Sequence, residues 1–327
     1  MTATPLLLVT NLSTAFTVER DGVSRAVRAV DDVSFSILEG ETLGLVGESA
    51  CGKSVTALSI IGLVPPPGRI VAGSIEFEGR DLLKLSERDR RRVRGARIGF
   101  VFQEPMTALN PVFTIGDQIA EALVVHGLAT PVQAAERAVA LLDAVRIPDA
   151  ARCARDYPHQ LSGGMRQRAL IAAAVACGPS LLIADEPTTA LDVTIQAEIL
   201  DLLREMRDRS GMSLLLISHD LGVVSQLAER IAVMYAGRIV EEGPVGVVLD
   251  NPLHPYTRGL LDSLPGSTPG ERLHAIPGTV PDLGFLTTGC AFAPRCTHRL
   301  ATCDDTPPER IGIGPDRAVR CVLHRSH

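Results

Sequence analysis

One segment constrains the fold of this 327-residue chain more than any other. The apolar run Thr42–Val46 predicts a β-strand, and it leads into a glycine-containing loop after which a helical pattern begins. The loop reads Gly47-Glu48-Ser49-Ala50-Cys51-Gly52-Lys53-Ser54. In this strand-loop-helix context, backbone N–H groups and the positive end of the helix face a phosphate. The segment therefore predicts a phosphate-binding loop, in which Lys53 reaches the β- and γ-phosphates of a nucleotide and Ser54 binds Mg²⁺.

The rest of the chain predicts an α/β fold with a central sheet. Further short apolar runs that end in loops alternate with helical patterns, at residues 97–102, Leu181–Asp185, Ser213–Ser218 and Arg230–Tyr235. Helical patterns such as residues 116–126 and 134–145 predict a helical subdomain inserted at about residues 105–176. After residue 250 frequent prolines predict an irregular C-terminal extension, 251–327, appended to a core domain of residues 1–250.

A pair of carboxylates ends the strand Leu181–Asp185. Asp185 fits a residue that holds Mg²⁺, and Glu186 is placed to polarise the water that attacks a γ-phosphate. An isolated Asp-Glu pair would more simply be a cap or a surface feature at a strand end. Its combination with the phosphate loop favours the catalytic interpretation.

Bulk properties exclude several classes of protein. The formal net charge of −6 argues against a protein that binds nucleic acid by neutralising phosphates. The longest apolar run, residues 169–177, is about half the ~20 residues that a membrane-spanning helix needs. The N-terminus lacks the charged and apolar regions of a secretory signal, so we expect a cytoplasmic location.

The segment Leu161-Ser162-Gly163-Gly164-Met165 resembles the signature sequence of ABC ATPases. The order of other motifs agrees with that family: Gln103 is similar to its Q-loop glutamine, Asp192 to its D-loop aspartate and His219 to its switch histidine. The resemblance covers most of residues 1–250. It implies a P-loop NTPase core, ATP as substrate, catalytic roles for Glu186, His219 and Gln103, and Mg²⁺ held by Ser54, Gln103 and Asp185.

The same resemblance implies a partner. Residues 162–164 offer a hydroxyl, bare N–H groups and a helix N-terminus, which together form a second anion site. Only one set of motifs is present, so a second ATPase chain is expected, each signature closing over the partner's ATP. Phe16 resembles the residue that stacks on adenine, although a core phenylalanine fits almost as well.

Two residues depart from the common family pattern. Ala50 stands in the phosphate loop where relatives commonly carry glycine, and Met165 stands where glutamine is more common. Ala50 puts the fine geometry of the loop in question. Met165 is similar to one of the two ATPase subunit types of oligopeptide and dipeptide importers.

The extension also resembles that of the peptide-importer ATPases, through His254-Pro255-Tyr256-Thr257-Arg258-Gly259-Leu260-Leu261. Four cysteines follow, Cys290, Cys296, Cys303 and Cys321, with gaps of 5, 6 and 17 residues. Zinc sites usually pair ligands more closely, whereas four thiolates suit a [4Fe–4S] cluster, which the family carries in this extension. Zinc held with His298 or His324, and free buried thiols, are the alternatives.

The resemblance therefore implies an ATP-hydrolysing subunit of an ABC importer for oligopeptides, dipeptides or nickel. Its expected partners are a homologous second ATPase, two membrane permeases and an extracytoplasmic substrate-binding protein, and no nucleic acid. Its expected location is the cytoplasmic face of the cell membrane, as a peripheral subunit. The alternatives are an ABC importer subunit for another solute, such as a sugar, and a non-transport ABC protein, a class that usually fuses two motors.

Overall fold

The computed structural model describes residues 4–20, 22–263, 276–281 and 288–325. The chain divides into two compact units. The first unit comprises residues 1–37, 42–83 and 218–327, and the second comprises residues 38–41 and 84–217. Part of the core thus shares the first unit with the C-terminal extension, and a separate domain boundary near residue 250 stays a prediction.

The strands, in chain order, are β1 (Leu7–Arg20), β2 (Val23–Ile37), β3 (Thr42–Val46), β4 (Gly68–Phe77), β5 (Arg80–Asp81), β6 (Ile98–Val101), β7 (Leu181–Asp185), β8 (Ser213–Ser218), β9 (Arg230–Tyr235), β10 (Arg238–Pro244), β11 (Ile311–Gly312) and β12 (Ala318–Val319). The helices are α1 (Lys53–Ile60), α2 (Glu87–Val93), α3 (Pro105–Ala108), α4 (Ile115–Val125), α5 (Pro131–Ala144), α6 (Ala150–Cys153), α7 (Gly163–Val175), α8 (Val193–Ser210), α9 (Leu221–Ser225), α10 (Val245–Asp250) and α11 (Pro255–Asp262).

The first unit contains two sets of paired strands. In one, β1 pairs antiparallel with both β2 and β4, and the short β5 joins β4. In the other, β3 pairs parallel with β9, and β10, β12 and β11 continue antiparallel from β9. Strand β3 is buried along its whole length, as a strand covered on both faces must be, and it delivers the chain into the phosphate loop.

The second unit contains the parallel strands β8, β7 and β6, in that order. β7 and β8 are buried throughout and match the predicted strands at both ends. The predicted strand 97–102 is shorter, because only Ile98–Val101 lie in parallel register with β7.

Helices α3 to α7 lie in the segment between β6 and β7, where the helical insertion was predicted. Each of the two helices predicted individually begins earlier than its apolar pattern suggests. Thr114 caps α4 through the N–H of Asp117, and Thr130 forms a capping box with Gln133 at the start of α5. Caps define the true starts because they satisfy N–H groups that the helix leaves unpaired.

The C-terminal extension is more regular than its prolines predict. It contains helix α11 and the short strands β11 and β12, of which β12 pairs with β10. Its aromatic anchor is Tyr256, which is fully buried and packs against Tyr235 and Phe292 with ring centroids 4.6 and 5.4 Å away. Burial of large aromatic surfaces stabilises this junction.

Four arginine–carboxylate pairs also tie the extension to the rest of the first unit. Arg295 pairs with Glu48, Arg310 with Glu242, Arg317 with Glu241 and Arg320 with Asp32. The carboxylates of Glu241 and Glu242 are buried in β10. Buried carboxylates require such partners, so the extension is part of what allows β10 to carry them.

None of the helices in the described ranges has the length and apolar character required to cross a lipid bilayer.

Candidate functional site

Two glycines of the phosphate loop occupy positions that no side chain could share. A Cβ atom added to Gly47 would lie 2.1 Å from the carbonyl oxygen of Met234, and one added to Gly52 would lie 2.3 Å from that of Ala29. Gly52 also has a φ of 109°, which disfavours any other residue. The loop therefore wraps tightly against neighbouring backbone, as a phosphate-binding loop requires.

Ala50 adopts a left-handed backbone conformation, with a φ of 63°. This conformation explains why glycine is common at this position, since alanine is strained there by about 1 kcal/mol. Alanine at position 50 therefore leaves the loop wrapped, at a local cost in conformational free energy.

Lys53 is buried at the start of α1, with 4% of its surface exposed. Its ammonium donates hydrogen bonds to the carbonyl oxygens of Gly47 and Glu48, at 2.8 and 3.1 Å. The charge thus lies inside the curve of the loop. No side chain caps the N-terminus of α1, whose first N–H groups follow the loop directly.

In the second unit, Glu186 is held in a defined orientation at the end of β7. Its carboxylate oxygen Oε2 accepts hydrogen bonds from the Gln103 side-chain amide at 3.2 Å and from the Thr189 hydroxyl at 2.8 Å. Glu186 is 8% exposed and its φ is 47°, in the left-handed region. The structure thus brings together two of the residues predicted to be catalytic, Gln103 and Glu186.

Thr189 helps to hold the Glu186 carboxylate, and the sequence alone did not indicate this role. It lies three residues after Glu186, a spacing at which a hydroxyl can bond back to the side chain at the start of a turn. That spacing was the available signal.

The signature segment forms an exposed helix N-terminus in the second unit. Ser162 caps α7 by accepting a hydrogen bond from the N–H of Met165 at 3.3 Å, while Leu161 is buried and anchors the turn. Ser162 and Gly163 are exposed, and Gly164 lies against Ile195 of α8. Asp192, the predicted D-loop residue, caps α8 by accepting a hydrogen bond from the N–H of Ile195 at 3.0 Å.

Two further residues of the predicted site, His219 and Phe16, also lie in the first unit. His219 is exposed directly after β8, where Asp220 caps α9. Phe16 lies within β1, which continues to Arg20. The Phe16 ring is half-buried and covers Gly68, so a role in stacking on adenine stays a prediction.

The four cysteines of the extension line one cavity together with His254 and His298. Burial raises the pKa of Cys290 and Cys296 above the usual thiol value and that of Cys321 to about 11. The neighbouring cysteines, when ionised, act in the same direction on the pKa of all three. His324, the other histidine considered as a ligand, bonds instead to the carbonyl oxygen of Leu253 at 3.0 Å.

Among the residues that the structure describes, no three Cys, His, Asp or Glu side chains converge on one point as ligands of a single metal ion. A zinc ion needs such convergence, with sulfur atoms about 2.3 Å from one centre. The cysteines of a four-iron cluster each bind a different iron atom, so they surround a larger volume. The [4Fe–4S] cluster therefore stays a prediction.

Comparisons with known proteins agree with these observations. Residues 30–189 match the family model described as ABC transporter, and residues 240–303 match that of the oligopeptide/dipeptide transporter C-terminal region. Residues 157–225 also match a model of an AAA domain, described as a putative AbiEii toxin of a type IV toxin–antitoxin system.

Relatives match along almost the whole chain. A putative peptide import ATP-binding protein of Brucella melitensis is 52% identical over 335 residues, which covers 98% of each chain. A probable peptide ABC transporter ATP-binding protein of Sinorhizobium fredii is 51% identical over 319 residues, covering 97% of this chain and 94% of the relative. Among solved structures, a dimeric ATP-binding cassette bound to ADP and Pi matches with a TM-score of 0.65 and 27% identity, covering 73% of this chain and 98% of that chain.

The fold and the order of its motifs define an ATPase of the ABC class. Within that class, the chain belongs to the family of ATP-binding subunits of oligopeptide and dipeptide ABC importers.

Proposed function

We propose that this chain hydrolyses Mg–ATP to drive the import of oligopeptides or dipeptides through separate permease subunits. The observation that carries the proposal is the 52% identity, over nearly the whole chain, with a protein named as a peptide import ATP-binding protein. The match of residues 240–303 to the oligopeptide/dipeptide transporter C-terminal model supports the same substrate class.

In this proposal the phosphate loop, residues 47–54, binds the triphosphate, and Lys53 neutralises the β- and γ-oxygens. Ser54, Gln103 and Asp185 would hold Mg²⁺, which would supply positive charge beside the γ-phosphoryl group. Glu186 orients and polarises the attacking water, and its hydrogen bonds to Gln103 and Thr189 support that role. His219 contacts the γ-phosphate, and Phe16 stacks on the adenine.

The residues 161–165 would act on a second nucleotide, held by a homologous ATPase chain. The exposure of Ser162 and Gly163 at a helix N-terminus supports this role, because an anion can reach the N–H groups there. Two permeases and an extracytoplasmic binding protein complete the proposed importer. This chain would then lie at the cytoplasmic face of the membrane, bound to the permeases.

Reconstitution tests the proposed function. The chain is co-purified with its neighbouring ATPase and permeases, placed in proteoliposomes with the binding protein, and assayed for uptake of labelled di- and oligopeptides. We expect ATP-dependent peptide uptake, and its loss when Glu186→Gln is introduced into this chain and its equivalent into the partner. Uptake of nickel or a sugar without uptake of any peptide would contradict the substrate assignment.

We further propose that Cys290, Cys296, Cys303 and Cys321 hold a [4Fe–4S] cluster. Their location around one cavity supports it, because each thiolate of such a cluster binds a different iron atom. When bound, such a cluster supplies four thiolate crosslinks to a segment that is poor in apolar residues. We infer a role in holding the extension together.

Anaerobic purification tests the cluster. We expect a brown protein with broad absorbance near ~400 nm and about four irons per chain, and Cys296→Ser should bleach it. Cys177→Ser is a matched control, because Cys177 lies outside the extension, and it should leave iron content unchanged. Stoichiometric zinc without iron, or protein free of metal, would contradict the proposal.

A further inference from the structure

Two residues of the C-terminal extension reach the phosphate loop, and both contacts converge on Glu48. The hydroxyl of Tyr256 accepts a hydrogen bond from the Glu48 backbone N–H at 2.8 Å. The guanidinium of Arg295 donates to both carboxylate oxygens of Glu48, at 2.7 and 3.0 Å. Because one contact holds the backbone and the other holds the side chain, together they fix the orientation of Glu48.

The contact between Arg295 and Glu48 is an ion pair whose guanidinium is largely buried. Only 5% of the Arg295 side chain is exposed, and its Nε–H donates to the carbonyl oxygen of Pro277 at 2.9 Å. Bidentate arginine–carboxylate pairs combine strength with a defined geometry. The hydrogen bond with Glu48 raises the pKa of Arg295 above its usual value, and a buried charge of this kind is costly without its partner.

Tyr256 is equally constrained. It is fully buried between Tyr235 and Phe292, and burial raises the pKa of its phenol. The aromatic packing therefore holds the hydroxyl oxygen where it accepts the hydrogen bond from the Glu48 N–H.

The opposite side of Glu48 contacts the residue predicted to bind phosphate. The Lys53 ammonium donates to the Glu48 carbonyl oxygen at 3.1 Å and to that of Gly47 at 2.8 Å. A shift of Glu48 would therefore change the surroundings of the Lys53 charge.

We propose that Arg295 and Tyr256 are positioning residues for the phosphate loop, so that the C-terminal extension sets the affinity of this chain for ATP. The inference rests on the proposed ATP-binding function of the loop. It assigns the extension a direct part in nucleotide binding, in addition to its part in holding the first unit together.

The cysteine segment is coupled to this contact. The turn that carries Arg295 lies between Cys290 and Cys296. It is closed by hydrogen bonds from the Ala293 N–H to the Cys290 carbonyl oxygen at 3.0 Å and from the Cys296 N–H to the Ala293 carbonyl oxygen at 3.2 Å. The backbone of Arg295 is thereby held between these two cysteines.

A double-mutant cycle tests the proposal. The full-length chain carrying Glu186→Gln, which suppresses hydrolysis, is titrated with Mg–ATP by calorimetry, alone and with Arg295→Gln, Glu48→Gln or both. We expect each substitution to weaken ATP binding about tenfold, a usual magnitude for linked sites, and the double variant to be no weaker than the single ones.

Arg310→Gln is the matched control. It breaks another ion pair of the extension, between Arg310 and the buried carboxylate of Glu242, and neither residue touches the phosphate loop. It should lower the midpoint of thermal unfolding while leaving ATP affinity of the folded protein unchanged. If it weakens ATP binding as much as Arg295→Gln does, the effect is general destabilisation and the proposal is wrong.

Tyr256→Phe covers the case in which Arg295→Gln fails to fold. It removes only the hydroxyl and keeps the aromatic packing, so we expect a loss of ATP affinity of about threefold, the usual worth of one hydrogen bond. Unchanged affinity in this variant and in any folded Arg295→Gln protein would overturn the proposal, as would additive losses in the cycle. A parent chain that binds no ATP would instead contradict the proposed function itself. Lys53→Ala provides the reference titration for a chain that does not bind ATP.

Discussion

At the scale of single residues, Glu186 shows how the structure prepares a candidate catalytic group. Its backbone is left-handed and its N–H donates to the carbonyl oxygen of Ile217 at 2.9 Å, while Gln103 and Thr189 hold one carboxylate oxygen. A left-handed non-glycine residue costs about 1–2 kcal/mol, and such strain is concentrated at functional sites. The surrounding bonds maintain an orientation that the isolated strand end would not adopt.

We expect Glu186→Gln and Lys53→Ala to inactivate the protein in different ways. Glu186→Gln keeps the shape of the site and removes the charge that polarises water, so turnover should fall about 10²-fold or more while ATP remains bound. Lys53→Ala removes a phosphate contact, so ATP binding itself should weaken. Phosphate release and retention of labelled ATP in the purified complex measure the two effects.

The partner's site must be silenced for this comparison, because it could supply the remaining turnover. The equivalent glutamate of the partner ATPase is therefore substituted in both samples. Normal phosphate release by a complex that carries both substitutions would show that Glu186 is not the residue that activates water.

A stability prediction follows from Ala50. Because Ala50 is exposed and its φ is 63°, Ala50→Gly should relieve backbone strain that roughly offsets the added freedom of the unfolded chain, a net change within about 0.5 kcal/mol. Ala140→Gly, at an exposed position inside α5, should cost about 1 kcal/mol. Chemical unfolding of the two variants measures their free energies of unfolding. An equal loss of stability in both would contradict the conclusion that Ala50 is strained.

At the scale of elements, the sequence predicted best the strands that are buried on both faces. β3, β7, β8 and β9 are continuous apolar runs, and their bounds match the prediction. β2 carries no such run at its start, since residues 24–26 are exposed. Nor do prolines exclude strands as short as β11 and β12, whose pairing depends on contacts with a distant β10.

The candidate site was likewise predicted where its residues are close together in the sequence, and missed where they are far apart. The loop around Gly47 and Gly52 was recognisable because its chemistry is local to one strand, one turn and one helix. The contacts of Glu48 with Tyr256 and Arg295 span 208 and 247 residues, and no local pattern signals them. They follow from tertiary packing of the extension.

The N-terminus of α7 supports a prediction that separates stability from activity. Ser162→Asp keeps a side chain able to cap α7, so the free energy of unfolding should stay within about 0.5 kcal/mol of the parent, but its negative charge would repel a partner's phosphate. We therefore expect a stable complex whose ATPase rate falls at least about tenfold. Thr130→Asp, at the cap of α5, is the matched control and should be active; full activity of Ser162→Asp would exclude the signature role.

At the scale of the whole molecule, the site residues are divided between two units. The phosphate loop, Phe16 and His219 belong to the first, whereas Gln103, residues 161–165, Asp185, Glu186 and Asp192 belong to the second. One chain also carries one signature, which the proposed mechanism assigns to a partner's nucleotide. In the proposed mechanism the single signature makes hydrolysis a property of an assembly with a second ATPase chain.

We expect the isolated chain to hydrolyse ATP slowly and to gain activity when its partner ATPase and permeases are added. The measurement is phosphate release per chain across a dilution series, with and without the partners. A rate for the isolated chain that is high and independent of concentration would contradict the assembly proposal.

The pairing of β12 with β10 has a practical consequence for anyone who trims this protein. A cut near residue 250 would isolate the ATPase motifs, but it would uncover the backbone N–H and C=O groups of β10 that Ala318 and Val319 now occupy. It would also strip Arg310 and Arg317 from the buried carboxylates of Glu242 and Glu241. Exposed strand edges recruit other chains, so a minimal cassette made in this way should precipitate or self-associate during expression, whereas the full-length chain should stay dispersed.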